Sequence, residues 1–538
     1  MRSSRLQLAA LLFVTLLVYA ASLQNGYVHL DDTLYLVNND LVTDFSLRRF
    51  GELFTSIRGN FTPLTWLTHI VAWRLSGENP FGHHVISLLF HLGNVALVFI
   101  VIGKLYRIGL LERLAGGAES ASFIPFFATL LFALHPQNAE AVCWLAARKD
   151  LVMTSFVLLS AGFYIRYLRT ESAGLYVVAA VAFCLACLSK PTAAMWVMVL
   201  LVLDAAACRR SFVLRQATLR VLPFLAIAVI ISYLAYSAQQ SAGAMGGSDP
   251  FSSFDRMVIV LKNLYSYFAR YFLAGKFFVN YPLNKDIGWQ AFAGGAGLMA
   301  LCASLASERF RASGLAGLCT VVLLLPSVGI VQYGVQATAD RFAYMAFLPM
   351  HLWITVLAAI GLRFVQERRM VLVIRGAIVL VFLLLAQMTF LQASVWRTDL
   401  SLWAHGVRAE PDNPLAYQYL GDAFLRHGNA ETAIESYQQS IALIGPGVYM
   451  DRRSLYFGLG RAYFELGDYD AAHEWFSRLF DDNSETFSRI GYAYYFVADI
   501  LMRKGRTKEA LHYVRESLKR VPGFLRAREL EAELLELR

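Results

Sequence analysis

Residues 173–203 read AGLYVVAAVAFCLACLSKPTAAMWVMVLLVL and carry a single charge, Lys190. The apolar runs 173–189 and 192–207 flank a polar break at Lys190-Pro191. Each run approaches the roughly 20 residues that an α-helix needs to cross hydrocarbon. Two such runs in tandem predict membrane helices, and composition extends that reading to most of the chain. Of 538 residues, 57% are hydrophobic and 16% are charged, where an ordinary soluble domain has about 25% charged. The mean hydropathy is +0.49.

Eleven segments read as spans: 6–24, 84–106, 122–135, 151–168, 173–189, 192–207, 220–238, 287–306, 312–330, 343–363 and 371–391. The first follows a basic start, MRSSR, and is longer than the ~7–15-residue core of a signal peptide, so it reads as a retained helix. Residues 255–277 are apolar but carry Arg256, Lys262 and Arg270, which suits an interfacial or re-entrant helix. Alternate loops are rich in Lys and Arg: Arg2 and Arg5, then Lys104, Arg107 and Arg113, then Arg166 and Arg169, then Arg209, Arg210, Arg215 and Arg220, then Arg309 and Arg311, then Arg363, Arg368, Arg369 and Arg375. Positive loops face the cytosol. The net charge of +9 therefore reads as a topology signal, and no nucleic-acid partner is expected. Eleven crossings place the C-terminal part on the non-cytosolic side. Cys184 and Cys187 form a lone C-x-x-C within an apolar run and read, like the other cysteines, as small buried side chains.

From about residue 397 the chain turns polar and amphipathic. Tyr417, Leu420, Gly421, Phe424, Ala433 and Tyr437 recur as Tyr456, Leu459, Gly460, Tyr463, Ala472 and Phe476. A third copy keeps Ala498, Leu501, Ala510 and a closing Pro522. This is the tetratricopeptide pattern of paired helices. Three units are near the minimum for a stable stack, and such stacks present a concave binding surface. The expected organisation is a membrane domain over 1–395 and a repeat domain over 397–538, all-α throughout.

Polar residues at membrane depth are costly and mark functional candidates. Most of the unusual ones fall in the loops predicted to lie outside: Asp31-Asp32, then His135, Glu140, Arg148, Lys149 and Asp150, then Lys190, then Asp340-Arg341. Adjacent carboxylates repel, which suits a general base. They equally suit a solvated or capping pair, and the residues alone leave both readings open. Arg148, Lys149, Lys190 and Arg341 have the chemistry to hold phosphate oxygens or to snorkel to the interface. His135 reads as a hydrogen-bonded core residue before a ligand. No metalloprotease, phosphate-loop, nucleophile-elbow or dinucleotide motif is present.

Read in order, DDTLYLVNND (31–40), PLTWL (63–67), NPFGHHVISLLFHLGN (79–94), LFALHPQNAEAVCWLAARKDLV (131–152), LSKP (188–191) and QATADRFAYMAFLP (336–349) resemble the transmembrane and tetratricopeptide-repeat O-mannosyltransferases and their bacterial relatives. That family is similar to the wider GT-C glycosyltransferases. The resemblance implies a GT-C-like transmembrane helix bundle followed by a tetratricopeptide α-solenoid. It implies transfer of mannose or another hexose from a polyprenyl-phosphate donor to a hydroxyl of a protein or peptide acceptor, on the non-cytosolic face and with inversion. In a bacterial relative that face is the periplasmic side of the inner membrane; the alternative is the lumen of the endoplasmic reticulum. Asp31 or Asp32 takes the place of the acidic base, and Arg148, Lys149 and Arg341 match conserved-type polar positions; together with Lys190 these cations are the expected donor-phosphate contacts. Glu140, Asp150, Asp340 and His135 are further site candidates. No cofactor is required by any motif, and a divalent metal stays open. Thr62 precedes Pro63 where the family has an Arg-Pro, so a basic donor contact is either missing or supplied by Arg58. Two other classes remain: a non-catalytic membrane scaffold recruiting partners through its repeats, and a surface-polysaccharide ligase or polymerase. The outer-loop charges argue against the scaffold, which has no need of them.

Overall fold

Apolar runs without internal breakers become helices, because in a helix each interior backbone N–H and C=O is satisfied within the segment. The structure is a computed structural model that describes all residues except 1, 56–60, 118–120, 208–212, 242–250, 274, 276, 284–285, 331–335, 446–449, 482–488 and 538. Arg58, Arg209 and Arg210, singled out above, lie outside the described residues.

Helices of ten or more residues are α1 (Arg2–Tyr19), α2 (Pro63–Ser76), α3 (Pro80–Arg107), α4 (Ile124–Leu134), α5 (Arg148–Thr170), α6 (Ala173–Ser189) and α7 (Trp196–Ala207). There follow α8 (Leu214–Ser241), α9 (Ser253–Leu273), α10 (Trp289–Ala306), α11 (Arg311–Leu324), α12 (Leu348–Arg363) and α13 (Arg368–Val395). The C-terminal set is α14 (Asp399–Ala409), α15 (Pro414–Arg426), α16 (Ala430–Ala442), α17 (Arg452–Glu465), α18 (Tyr469–Asp481), α19 (Ile490–Arg503), α20 (Thr507–Arg520) and α21 (Leu525–Glu536). The chain separates into one unit of residues 1–279 with 285–398, and another of residues 280–284 with 399–538.

In the first unit, each of the eleven segments expected to span is helical. Among the described residues, six helices are long and apolar enough to cross a membrane by themselves: Ser4–Gln24, Pro80–Arg107, Leu145–Thr170, Leu214–Ala238, Trp289–Ala306 and Arg368–Val395. A seventh candidate is broken, with Asp340–Ala346 and Leu348–Arg363 meeting at a bend of 61°. The other four, Ile124–Leu134, Ala173–Ser189, Pro191–Ala206 and Arg311–Ser327, are shorter apolar helices. Lipid is written on the surface of α13, where Val373 is 65% exposed and Leu383 63% exposed. Rows of exposed aliphatic side chains like these are unstable in water and ordinary in a bilayer.

Between the helices, polar side chains donate to a neighbour's backbone, the usual means of joining helices where lipid offers no hydrophobic drive. Ser160 Oγ donates to Ala179 O at 2.8 Å, Asn94 Nδ2 to Leu151 O at 3.0 Å and Thr389 Oγ1 to Leu134 O at 2.7 Å. One sequence expectation changes. Residues 136–150 are not an open loop, because Ala139–Ala147 are buried without exception. The helical face expected for Glu140, Trp144 and Ala147 is also broken, since Trp144 is extended at φ −93°, ψ 121° and starts a new turn, Leu145–Ala147, that runs into α5.

In the second unit, α15/α16, α17/α18 and α19/α20 are three helical hairpins. Asn413 caps α15 by accepting from Leu415 N at 3.0 Å, and Asn429 caps α16 by accepting from Thr432 N at 3.2 Å. Each hairpin turns on a glycine in the left-handed region: Gly428 (φ 74°), Gly467 (φ 79°) and Gly505 (φ 73°). Only glycine takes that conformation at little cost. The Tyr437 ring lies between Gly421 and Gly458, where added Cβ atoms fall 2.7 and 2.6 Å from it. Its hydroxyl donates to Asp422 Oδ1 at 2.6 Å, so the ring has no room to retreat. Gly421→Val is therefore expected to destabilise the repeat unit by about 1–3 kcal/mol through overpacking, read as a lower midpoint for the repeat transition in a thermal melt.

Candidate active site

Four segments distant in sequence meet in the first unit: the stretch after α1, the buried turns before α5, the Lys190 break after α6, and the bent entry to α12. The first is organised by Asp32, which is 1% exposed. Its Oδ2 accepts from Val28 N at 3.0 Å and its Oδ1 from Ala146 N at 2.9 Å. The second of these bonds ties the loop to the turns before α5. Asn39 closes the far end by accepting from Leu41 N at 3.1 Å and donating to Tyr35 O at 3.1 Å. Asp31 is placed differently. It is half-buried, its carboxylate makes no hydrogen bond or ion pair among the described residues, and it interacts electrostatically with Lys149 and Arg341.

The cations converge on aromatic faces. Lys149 Nζ lies 5.3 Å from the centre of the Tyr35 ring. Arg341 lies over Trp144 at 4.8 Å and over Phe342 at 4.7 Å, and Lys190 Nζ over the same Phe342 ring at 4.5 Å. Carboxylates hold two of them in place: Lys190 Nζ is 2.5 Å from Asp150 Oδ1, and Arg341 Nη1 is paired with Glu140 Oε1. Glu140 Oε2 also accepts from Arg341 N at 3.1 Å. Burial raises the Glu140 carboxyl from its ordinary value, and the Arg341 guanidinium opposes that rise. The ammonium of Lys149 is in no ion pair among the described residues. Arg341 Nε is buried without a hydrogen-bond partner there. These are the donors left for an anionic ligand.

Two sequence candidates are used elsewhere. Arg148 is fully buried. Its Nε donates to Ser87 Oγ at 3.0 Å, Nη1 to Thr68 O at 3.2 Å and Nη2 to His83 O at 2.7 Å, so it ties α5 to α2 and α3. His135 stacks on Tyr271 with ring centres 4.5 Å apart. Its Nε2 is 3.1 Å from Tyr271 O, and Nδ1 accepts from Gln137 N at 3.3 Å. Asp340 is held by Arg270, whose Nε donates to Oδ1 at 2.9 Å while its Nη2 donates to Thr338 Oγ1 at 3.0 Å.

Arg270 and Tyr35 were not among the expected site residues. A signal for Arg270 was available. Asn263, Tyr267 and Arg270 fall at i, i+4 and i+7, the spacing of one helical face, and all three are buried on α9. A charge on a buried face needs a partner.

Among α3, α5, α7, α11 and α12 lies an apolar cavity of about 230 Å³, lined by Leu105, Leu158, Trp196, Cys319 and Leu348 among others. Trp196 follows Lys190 by one short turn, Pro191–Met195. Among the described residues, no group of three His, Cys, Asp or Glu side chains is arranged to hold a metal ion. The arrangement offers one accessible carboxylate, cations beside it, and apolar space within the helices.

The tetratricopeptide repeat family matches residues 401–447 and 451–486. The mouse protein O-mannosyl-transferase TMTC4 is 33% identical over 164 residues, 28% of this chain and 21% of its own length. The Caenorhabditis elegans protein O-mannosyl-transferase F38B6.6 is 24% identical over 455 residues, covering 81% of this chain and 62% of its own. The matches thus take in less than two thirds of either relative. Among solved structures, ArnT from Cupriavidus metallidurans bound to undecaprenyl phosphate aligns with 87% of this chain and 79% of its own at TM-score 0.36 and 15% identity, a likeness too distant to carry an argument.

Proposed function

We propose that this chain, a homologue of the transmembrane and tetratricopeptide-repeat O-mannosyltransferases, is a multi-pass membrane glycosyltransferase that moves mannose or another hexose from a polyprenyl-phosphate donor to a hydroxyl of a protein acceptor. The observation that carries this reading is the half-buried Asp31 carboxylate beside the cations of Lys149 and Arg341. The acceptor oxygen attacks C1 of the sugar, and its proton passes to Asp31. The C1–O bond to phosphate breaks, and the phosphate leaves with the electron pair. Lys149 and Arg341 stabilise the charge that develops there. Attack from the side opposite the phosphate inverts the anomeric centre. Lys190, held by Asp150, adds positive field, and the apolar cavity suits part of the isoprenoid chain. Asp32 positions the loop that carries Asp31.

The direct test is to supply the purified protein with radiolabelled polyprenyl-phosphate sugars and follow label into protein. Label that stays on the lipid with every donor and acceptor supplied would leave the scaffold reading in its place. Lys149→Gln is expected to weaken donor binding roughly tenfold, the loss of about one charge-assisted contact, with thermal stability unchanged. Equal donor affinity would remove Lys149 from the phosphate site.

The same reading puts the repeats on the non-cytosolic side, in the periplasm for a bacterial inner-membrane protein. It rests on the alternation of Lys- and Arg-rich loops. In a variant lacking the exposed Cys302, single cysteines at Thr170 and Glu431, both exposed, should react with impermeant reagents from opposite sides. Reaction from one side would overturn the topology.

A further inference from the structure

The repeat unit contains a second recess, about 700 Å³ in volume, along the first helices of its hairpins. Arg426 comes from α15, Arg461 from α17, Arg489 from just before α19 and Arg526 from α21. One carboxylate, Asp422, lies among them, and it accepts from Tyr437 at 2.6 Å. Arg426, Arg461 and Arg489 all act on that carboxylate. Arg426 is also held by Asp399 at 2.9 Å, and Arg461 by Glu465 one turn on at 3.1 Å. Arg489 and Arg526 are exposed and form no ion pair among the described residues.

The floor between these charges is aromatic. Tyr492 and Tyr495 pack edge-on against Phe524 at 5.0 and 4.8 Å. Phe496 lies 6.3 Å from Phe457, and Arg489 lies over Phe457 at 5.8 Å. Tyr492 keeps 39% of its surface exposed. Tyr495, Phe496 and Phe524 also pack against the core of the hairpins, whereas Arg489, Tyr492 and Arg526 are exposed. Arginines in no ion pair among the described residues, beside an exposed tyrosine, are of the residue types that dominate protein recognition sites.

We propose that this recess binds an extended acidic peptide segment, with carboxylates on Arg489 and Arg526 and an aromatic side chain against Tyr492, Tyr495 and Phe524. Arginine meets a carboxylate in a two-bond fork, which fixes direction as well as charge. Arginines delivered by successive helices form a row of fixed positive charge that an extended chain of acidic residues can follow. A flat anionic membrane cannot enter a recess in that way. Whether the bound segment belongs to the protein that receives the sugar depends on the transferase reading. The binding itself does not, so the two can fail separately.

The test uses the full-length protein in a neutral detergent and a fluorescein-labelled peptide of alternating Glu and Tyr, followed by anisotropy. Saturable binding that weakens as salt is added is expected. The Arg489→Gln/Arg526→Gln double variant, which alters two exposed side chains, is expected to bind roughly tenfold more weakly or worse with its circular dichroism unchanged. A Lys–Tyr peptide should neither bind nor compete. Equal binding of the Glu–Tyr peptide by the double variant would overturn the proposal, as would equal competition by the Lys–Tyr peptide. Phosphatidylglycerol vesicles that displace the peptide at matched charge would overturn it in favour of a lipid surface.

Discussion

Asp31→Asn is expected to lower sugar transfer by roughly 10²–10⁴-fold, the usual contribution of a positioned general base, while membrane expression and thermal stability stay normal. The amide is nearly the same size, and the Asp31 carboxylate makes no hydrogen bond among the described residues that the change removes. Asp32→Asn should behave in the opposite way. Both Asp32 oxygens accept backbone N–H groups, from Val28 and Ala146. Putting an amide N–H₂ against one of them leaves a buried donor unsatisfied, at a cost of about 1–3 kcal/mol. The expected signature is a lower melting point and reduced yield, with transfer per folded molecule less affected than in Asp31→Asn. Transfer of labelled sugar and a thermal melt on the same two preparations separate the roles. Full activity in Asp31→Asn would move the search for the base to Glu140 or Asp150. If those also proved dispensable, the scaffold reading would gain.

The second large effect falls on the Glu140–Arg341 pair, whose side chains are 4% and 9% exposed. Removing one member of a buried pair strands the other charge, which typically costs about 3–5 kcal/mol. Glu140→Met and Arg341→Met are each expected to lower the melting temperature in detergent sharply. The double variant should recover much of the loss, because two apolar side chains of similar length leave no stranded charge. Arg341 also faces Asp31 electrostatically, so the recovered double variant should remain poor in transfer. A loss in the double variant equal to the sum of the two single losses would mean that the pair contributes nothing as a pair.

Helicity, the apolar segments and the repeats were legible from local signals. An apolar run of spanning length needs no partner in the sequence to declare itself, and Gly421 and Gly460 recur because each hairpin repeats the same close packing. The left-handed turns at Gly428, Gly467 and Gly505 repeat as plainly, in HGN, LGD and KGR, and would have sharpened the third unit. The sequence also brought the polar residues of four segments together as candidates.

Roles within that set depended on pairing over long separations. Asp31 and Asp32 are neighbours of identical chemistry. What divides them is Ala146, 114 residues from Asp32, whose N–H Asp32 takes. Arg148 and Lys149 divide in the same way. α5 begins at Arg148, and successive helix positions point about 100° apart. One side chain therefore turns inward to Thr68, His83 and Ser87, and the other turns toward Tyr35. Composition and periodicity are properties of short windows, so the sequence alone determined the helices, their apolar faces and the repeat. Hydrogen bonds and ion pairs belong to pairs of residues that only folding makes adjacent, so the tertiary structure alone decided which of the two carboxylates is held by backbone N–H groups.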